Sequence, residues 1–124
     1  MNAVTVAVRG AIQVSSNDAD AIRTAGLRLL EAVLGSNEVV CDDIVSIIFS
    51  ITPDLTRANP ATAARAAGYA ETPLFCVQEA VVDGQPDRII RMLLTYRSGT
   101  DRKPVPVYLD GAQVLRPDLP PPSP

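Results

Sequence analysis

The chain has 124 residues, a formal net charge of −3 and no histidine. That length supports one domain with a real core but a poor surface-to-volume ratio, which oligomerisation would improve. With no block of like charges, three tyrosines, two phenylalanines and no tryptophan, it offers neither a basic nucleic-acid footprint nor a stacking platform.

In chain order, Ala3 to Arg9 alternates Val4, Val6 and Val8 against Thr5, Ala7 and Arg9, the pattern of a half-buried strand. Ser15-Ser16-Asn17-Asp18 supplies N-cap candidates, and Ile22, Leu29, Leu30 and Val33 share one helical stripe, predicting a helix from Asp18 to Leu34 ended by Gly35. Asp42-Asp43 introduces the apolar run Ile44 to Ile51, whose β-branched content predicts a central strand covered on both faces. Pro53 ends it, since proline cannot donate to a ladder. Asn59 as N-cap, Pro60 at the first helical position and Gly68 as the stop bracket a short alanine-rich helix on which Thr62 and Arg65 share a face. Further strands are predicted over Pro73 to Val82, Arg88 to Tyr96 and Val105 to Leu109. Asp110-Gly111 then predicts a hairpin turn into a short strand ending at Leu115. The resulting fold class is α+β, a mixed sheet with helices packed on one face. One domain is expected over residues 1 to 119, followed by a mobile proline-rich tail over 120 to 124.

Two arginines stand out because they occupy apolar strands: Arg9 closes Val4 to Val8, and Arg91 interrupts Ile89-Ile90-Arg91-Met92-Leu93-Leu94. A guanidinium is always protonated and costly to bury alone, so such a strand needs a carboxylate, phosphate or ligand opposite it, or an edge position from which the stem reaches water. Glu79, at the end of Leu74-Phe75-Cys76-Val77-Gln78-Glu79, is either a structural partner of such an arginine or part of a site. Strict alternation puts Cys76 and Glu79 on opposite faces unless the strand bends. Cys76 and Cys41 are expected to be free thiols, since two cysteines at unrelated positions make neither a disulfide framework nor a zinc cluster.

Without histidine there is no Ser-His-Asp or Cys-His couple, and no Walker loop or Gly-x-Gly-x-x-Gly string supports nucleotide chemistry. Binding, or catalysis by electrostatics and positioning, remains; no cofactor and no metal are expected. The start Met1-Asn2-Ala3 has no basic n-region and the longest apolar run is too short to span a bilayer, so no membrane association and a cytoplasmic location are expected.

Several strings resemble one family when taken together: Val8-Arg9-Gly10-Ala11, Ser50-Ile51-Thr52-Pro53-Asp54-Leu55, Cys76-Val77-Gln78-Glu79, Ile90-Arg91, and Val107-Tyr108-Leu109 followed by Val114-Leu115-Arg116-Pro117-Asp118-Leu119. In order and spacing they resemble the monofunctional chorismate mutases of the trimeric, Bacillus-type bacterial class. The resemblance implies a homotrimeric pseudo-α/β-barrel with active sites between subunits, converting chorismate to prephenate in aromatic amino acid biosynthesis. It implies that Arg9, Cys76, Glu79, Arg91 and Tyr108 carry the catalysis, with Leu74, Phe75, Leu115 and Arg116 around the substrate. Arg65, Asn59, Ala61 and Thr62 would come from the adjacent subunit. Asn59-Pro60-Ala61-Thr62 departs from the family's common Phe-Pro-Ala-Lys, removing an aromatic wall and a cation, and Val105-Pro106 replaces an Arg-His pair. The competing reading is a non-catalytic trimer that binds a small dianion and reports it to a partner. A trimeric deaminase or other isomerase of similar shape fits the Cys76 to Glu79 string less well.

Overall fold

The computed structural model describes residues 3–119, so the tail expected over 120–124 lies outside the described residues. Five strands form one sheet in the order β3-β2-β4-β1-β5. They are β1 (Val4–Gln13), β2 (Ile44–Ile51), β3 (Leu74–Gln78), β4 (Ile89–Ser98) and β5 (Val107–Leu109). β4 runs antiparallel to both β1 and β2, whereas β5 is parallel to β1 and β3 parallel to β2. The sheet is therefore mixed, as the sequence predicts, but its centre is β4 rather than β2. Both strands are rich in apolar residues, and composition alone does not rank them.

Helix α1 (Ala19–Ser36) begins where the Asp18 carboxylate accepts from the backbone N–H groups of Asp20 and Ala21, at 2.8 and 3.2 Å. Helix α2 (Pro60–Ala66) begins the same way, Asn59 Oδ1 accepting from Ala61 N at 2.8 Å. Both helices pack on one face of the sheet, against core side chains from alternate strand positions such as Val8, Ile12, Ile47, Phe49, Ile90, Met92 and Leu94. Close approach depends on two glycines. A Cβ on Gly10 would sit 3.0 Å from both the Val107 carbonyl oxygen and Val33 Cγ2, and one on Gly26 would sit 3.0 Å from Pro60 Cβ. Gly10 thus lets α1 and β5 approach β1, and Gly26 lets α1 cross α2.

Four expectations are corrected. β2 is covered on one side only in the chain, with Ile48 on its other face 40% exposed. β3 stops at Gln78 instead of Val82, because its partner β2 ends at Ile51 and the last ladder bond is Glu79 N to Ile51 O, 2.8 Å. β5 starts at Val107, since Pro106 has no N–H to give a ladder. Among the described residues no strand follows Asp110-Gly111: Asp110 takes a positive φ of 51° and Ala112–Leu115 forms a 3-10 turn. That turn folds Ala112 and Leu115 over Ala11, Ile89 and Tyr108, a small second core that an extended strand would leave uncovered.

Candidate active site

The sheet face away from the helices carries the charges. On β4, Arg91 pairs with Ala11 of β1 on one side and Ser50 of β2 on the other, so its side chain shares a face with theirs. Arg9 pairs with Leu93, two positions along β4, which makes Arg9 and Arg91 diagonal neighbours on that face, about 7–8 Å apart along the sheet. Glu79 follows β3 and is anchored beside the end of β2 by its own backbone N–H.

Glu79 reaches both neighbours. Ser50 Oγ donates to Glu79 Oε2 at 2.7 Å, and Glu79 Oε1 lies 3.3 Å from Arg91 Nε. The second contact is coulombic only: Arg91 Nε is shut off from solvent and makes no hydrogen bond among the described residues. The guanidinium's other contact is Arg91 Nη2 to Gln85 Oε1, a long 3.4 Å. A buried donor without an acceptor is uncommon in native proteins, but the Arg91 side chain as a whole is 38% exposed, so its guanidinium can still be reached from the open face.

Tyr108 on β5 pairs with Ala11, which brings it to the Arg9 and Arg91 side, and its ring is buried in the second core with Leu115 packed against it. Arg116 lies beside the Tyr108 hydroxyl and grips Asp118 through two nitrogens, Nε to Oδ1 at 3.1 Å and Nη2 to Oδ2 at 2.9 Å. The hydrogen bond to Asp118 holds Arg116 more firmly protonated, and the same bond pulls the Asp118 carboxyl below its ordinary range.

Other sequence candidates fall elsewhere. Phe75 projects from the open face and is 67% exposed, whereas Leu74 and Cys76 point to the opposite side and pack against the main core. β3 keeps an unbroken register from Leu74 to Gln78, so the Cys76 and Glu79 side chains stay on opposite faces. Burial pushes the Cys76 thiol up, keeping it neutral. Its backbone offers something different. The ladder bonds Ile47 N to Pro73 O and Glu79 N to Ile51 O fix the phase of this parallel pairing, and the N–H of Cys76 then faces outward from the sheet edge. Asn59, Ala61, Thr62 and Arg65 all belong to the α2 layer, across the sheet from Arg9, Arg91 and Glu79; Ala61 is buried, while Thr62 and Arg65 are exposed.

Two contributors were absent from the sequence candidates. Ser50 was legible in principle, as a hydroxyl set in an apolar strand. Gln85 was not, because its approach to Arg91 depends on the course of the loop before β4. Among the described residues, no helix is long and apolar enough to cross a membrane.

Fold and charge cluster together define a small α+β protein with a preorganised cation–carboxylate pair on an open sheet face. Residues 5–119 match the family model for chorismate mutase type I. Chorismate mutase AroH of Thermus thermophilus is 40% identical over 114 residues, spanning 90% of this chain and 93% of that protein. Chorismate mutase AroH of Bacillus subtilis (strain 168) is 34% identical over 114 residues, 90% of each. A solved chorismate mutase from Clostridium thermocellum superposes with a TM-score of 0.84 at 42% identity, covering 88% of this chain and 98% of that one. The chain belongs to the chorismate mutase type I family, and its function is that of a chorismate mutase, an isomerase.

Proposed function

We propose that the chain rearranges chorismate to prephenate at sites shared between the subunits of a homotrimer, in the cytoplasm, as a step of phenylalanine and tyrosine biosynthesis. The carrying observation is the Arg91 guanidinium, part-exposed on the open sheet face and held 3.3 Å from the Glu79 carboxylate. The rearrangement is intramolecular: an ether C–O bond breaks as a C–C bond forms, with no proton transfer and no nucleophile. Two tasks are left to the protein.

One is to hold the flexible substrate in its compact reactive conformer. Arg9 and Tyr108 grip a carboxylate, while Glu79 accepts from the ring hydroxyl and the edge-facing backbone N–H of Cys76 donates to it. Ser50 and Arg91 fix the Glu79 carboxylate for this purpose. The other task is electrostatic. Bond breaking runs ahead of bond making, so negative charge grows on the ether oxygen, and Arg91 stabilises it more in the transition state than in the ground state. Leu115, Phe75 and Arg116 enclose the substrate, whereas Leu74 supports β3 from the core side.

Two observations support a shared site. Ile48, Phe75, Val77 and Leu93 are 40, 67, 42 and 39% exposed on the sheet face away from the helices, an apolar surface that a second copy would cover. Arg65, Asn59, Ala61 and Thr62 lie across the sheet from Arg91, so they reach a common substrate only from a neighbouring chain. Purified protein mixed with chorismate tests the activity: loss of chorismate ultraviolet absorbance with formation of prephenate is expected. Tight binding without turnover would instead identify a non-catalytic dianion-binding protein.

A further inference from the structure

Between α1 and α2 runs a groove of about 540 Å³ whose floor is Leu27, Ala63 and Ala66. Its polar rim is made of Arg23, Asn59 and Thr62. Asn59 Oδ1 is already taken by the Ala61 N–H, so the group it can turn to the groove is its amide NH2, a donor. Arg23 engages the Asp20 carboxylate through a single nitrogen at 3.2 Å, with the two side chains 55% and 94% exposed. Such a surface pair is weak and screened, so Arg23 is easily recruited by a better anion. Guanidinium, amide and threonine hydroxyl together make a donor-rich rim over an apolar floor, the complement of a carboxylate carried on an unsaturated carbon body. A chain of net charge −3 repels a dianion overall, so a cation at the rim matters for capture.

We propose that Arg23, on α1, supplies a second positive charge, besides Arg65, at the α2 wall of the substrate pocket, capturing a carboxylate of the incoming dianion where position 62 carries only a hydroxyl. This rests on the reading that α2 of a neighbouring subunit walls the site. Arg23 is a binding residue and not a catalytic one, since it stands across the sheet from the Arg91 and Glu79 pair.

The test is steady-state kinetics with chorismate at low and high ionic strength. Arg23→Gln raises KM by about fivefold, the equivalent of an exposed charge contact, and leaves kcat within about twofold. The KM difference shrinks in high salt, because a surface charge is screened. Adding Thr62→Lys to the Arg23→Gln variant restores the lost cation from the opposite rim and brings KM back towards that of the unmodified protein. An Arg23→Gln KM within about twofold of the unmodified protein at low salt overturns the proposal, as does a Thr62→Lys change that fails to lower it. Thr62→Glu separates the two layers of reasoning. If it raises KM while Arg23→Gln does not, only the role of Arg23 falls; if neither moves KM, the shared-site reading falls with it.

Discussion

Glu79 Oε1 stands 3.3 Å from Arg91 Nε without receiving its hydrogen bond, while Ser50 Oγ donates to the other carboxylate oxygen at 2.7 Å. The carboxylate is thereby oriented by a neutral hydroxyl and attracted by a cation whose side chain stays 38% exposed. Under the proposed mechanism, a direct Arg91–Glu79 hydrogen bond would draw the guanidinium towards the carboxylate and away from the ether oxygen.

Removing that hydroxyl is informative. Ser50→Ala leaves Glu79 free to swing onto Arg91, and kcat/KM should fall by about tenfold, the cost of one hydrogen bond to a charged group. Ser50→Thr, which keeps the hydroxyl, should retain most of the activity. Equal losses in both variants would assign Ser50 a packing role only.

One link between the helix layer and the strand that carries Tyr108 runs through Asn37. Its Nδ2 donates to the carbonyls of Val33 and Val105 at 2.8 and 3.0 Å, and its Oδ1 accepts from Val105 N at 2.6 Å. This clamp ties the end of α1 to the segment leading into β5, at the position where the sequence departs from the family's Arg-His pair. Asn37→Ala should destabilise the protein by about 2 kcal/mol in urea titration, from lost hydrogen bonds and a loosened helix end. It should also raise KM, since β5 carries Tyr108. Unchanged stability would show that the clamp is redundant.

Stability should fall at alkaline pH. Burial raises the Cys76 thiol from 9.0 and the Tyr69 and Tyr96 hydroxyls from 10.0. Groups with raised folded values favour the protonated native state, so their contribution is complete below the unfolded value and is lost as the pH climbs through the folded one. The urea midpoint should therefore hold up to pH 9.0 and then decline, and Tyr96→Phe should flatten that decline. A midpoint independent of pH up to 11 would contradict the assigned burial effect.

Much of the candidate site's charge cluster could be read from the chain because charge inside an apolar strand is a local signal. Arg9 and Arg91 were visible that way, and period-two alternation correctly set the Cys76 and Glu79 side chains on opposite faces. What alternation does not carry is the backbone phase of a ladder, so the outward N–H of Cys76 appears only once β3 is paired. The order of strands was also hidden. β2 and β4 have similar apolar content, and their ranking depends on which one finds two partners. Asp110-Gly111 reads locally as a hairpin, yet the need to cover Tyr108 and Ala11 turns the following residues into a 3-10 cap. Gln85 and Arg23 gave no sequence signal because each acts through tertiary placement.

Charge at Arg91 is the central claim, and Arg91→citrulline tests it most directly. The urea side chain keeps the shape of the guanidinium and three of its five N–H donors, with a carbonyl oxygen in place of one nitrogen, while removing its positive charge. If electrostatic stabilisation of the ether oxygen drives the reaction, kcat at saturating chorismate drops by about a hundredfold or more in a variant shown to be folded and assembled. A loss of less than about tenfold would mean that hydrogen bonding and conformer selection suffice, and that the positive charge is not what accelerates the rearrangement.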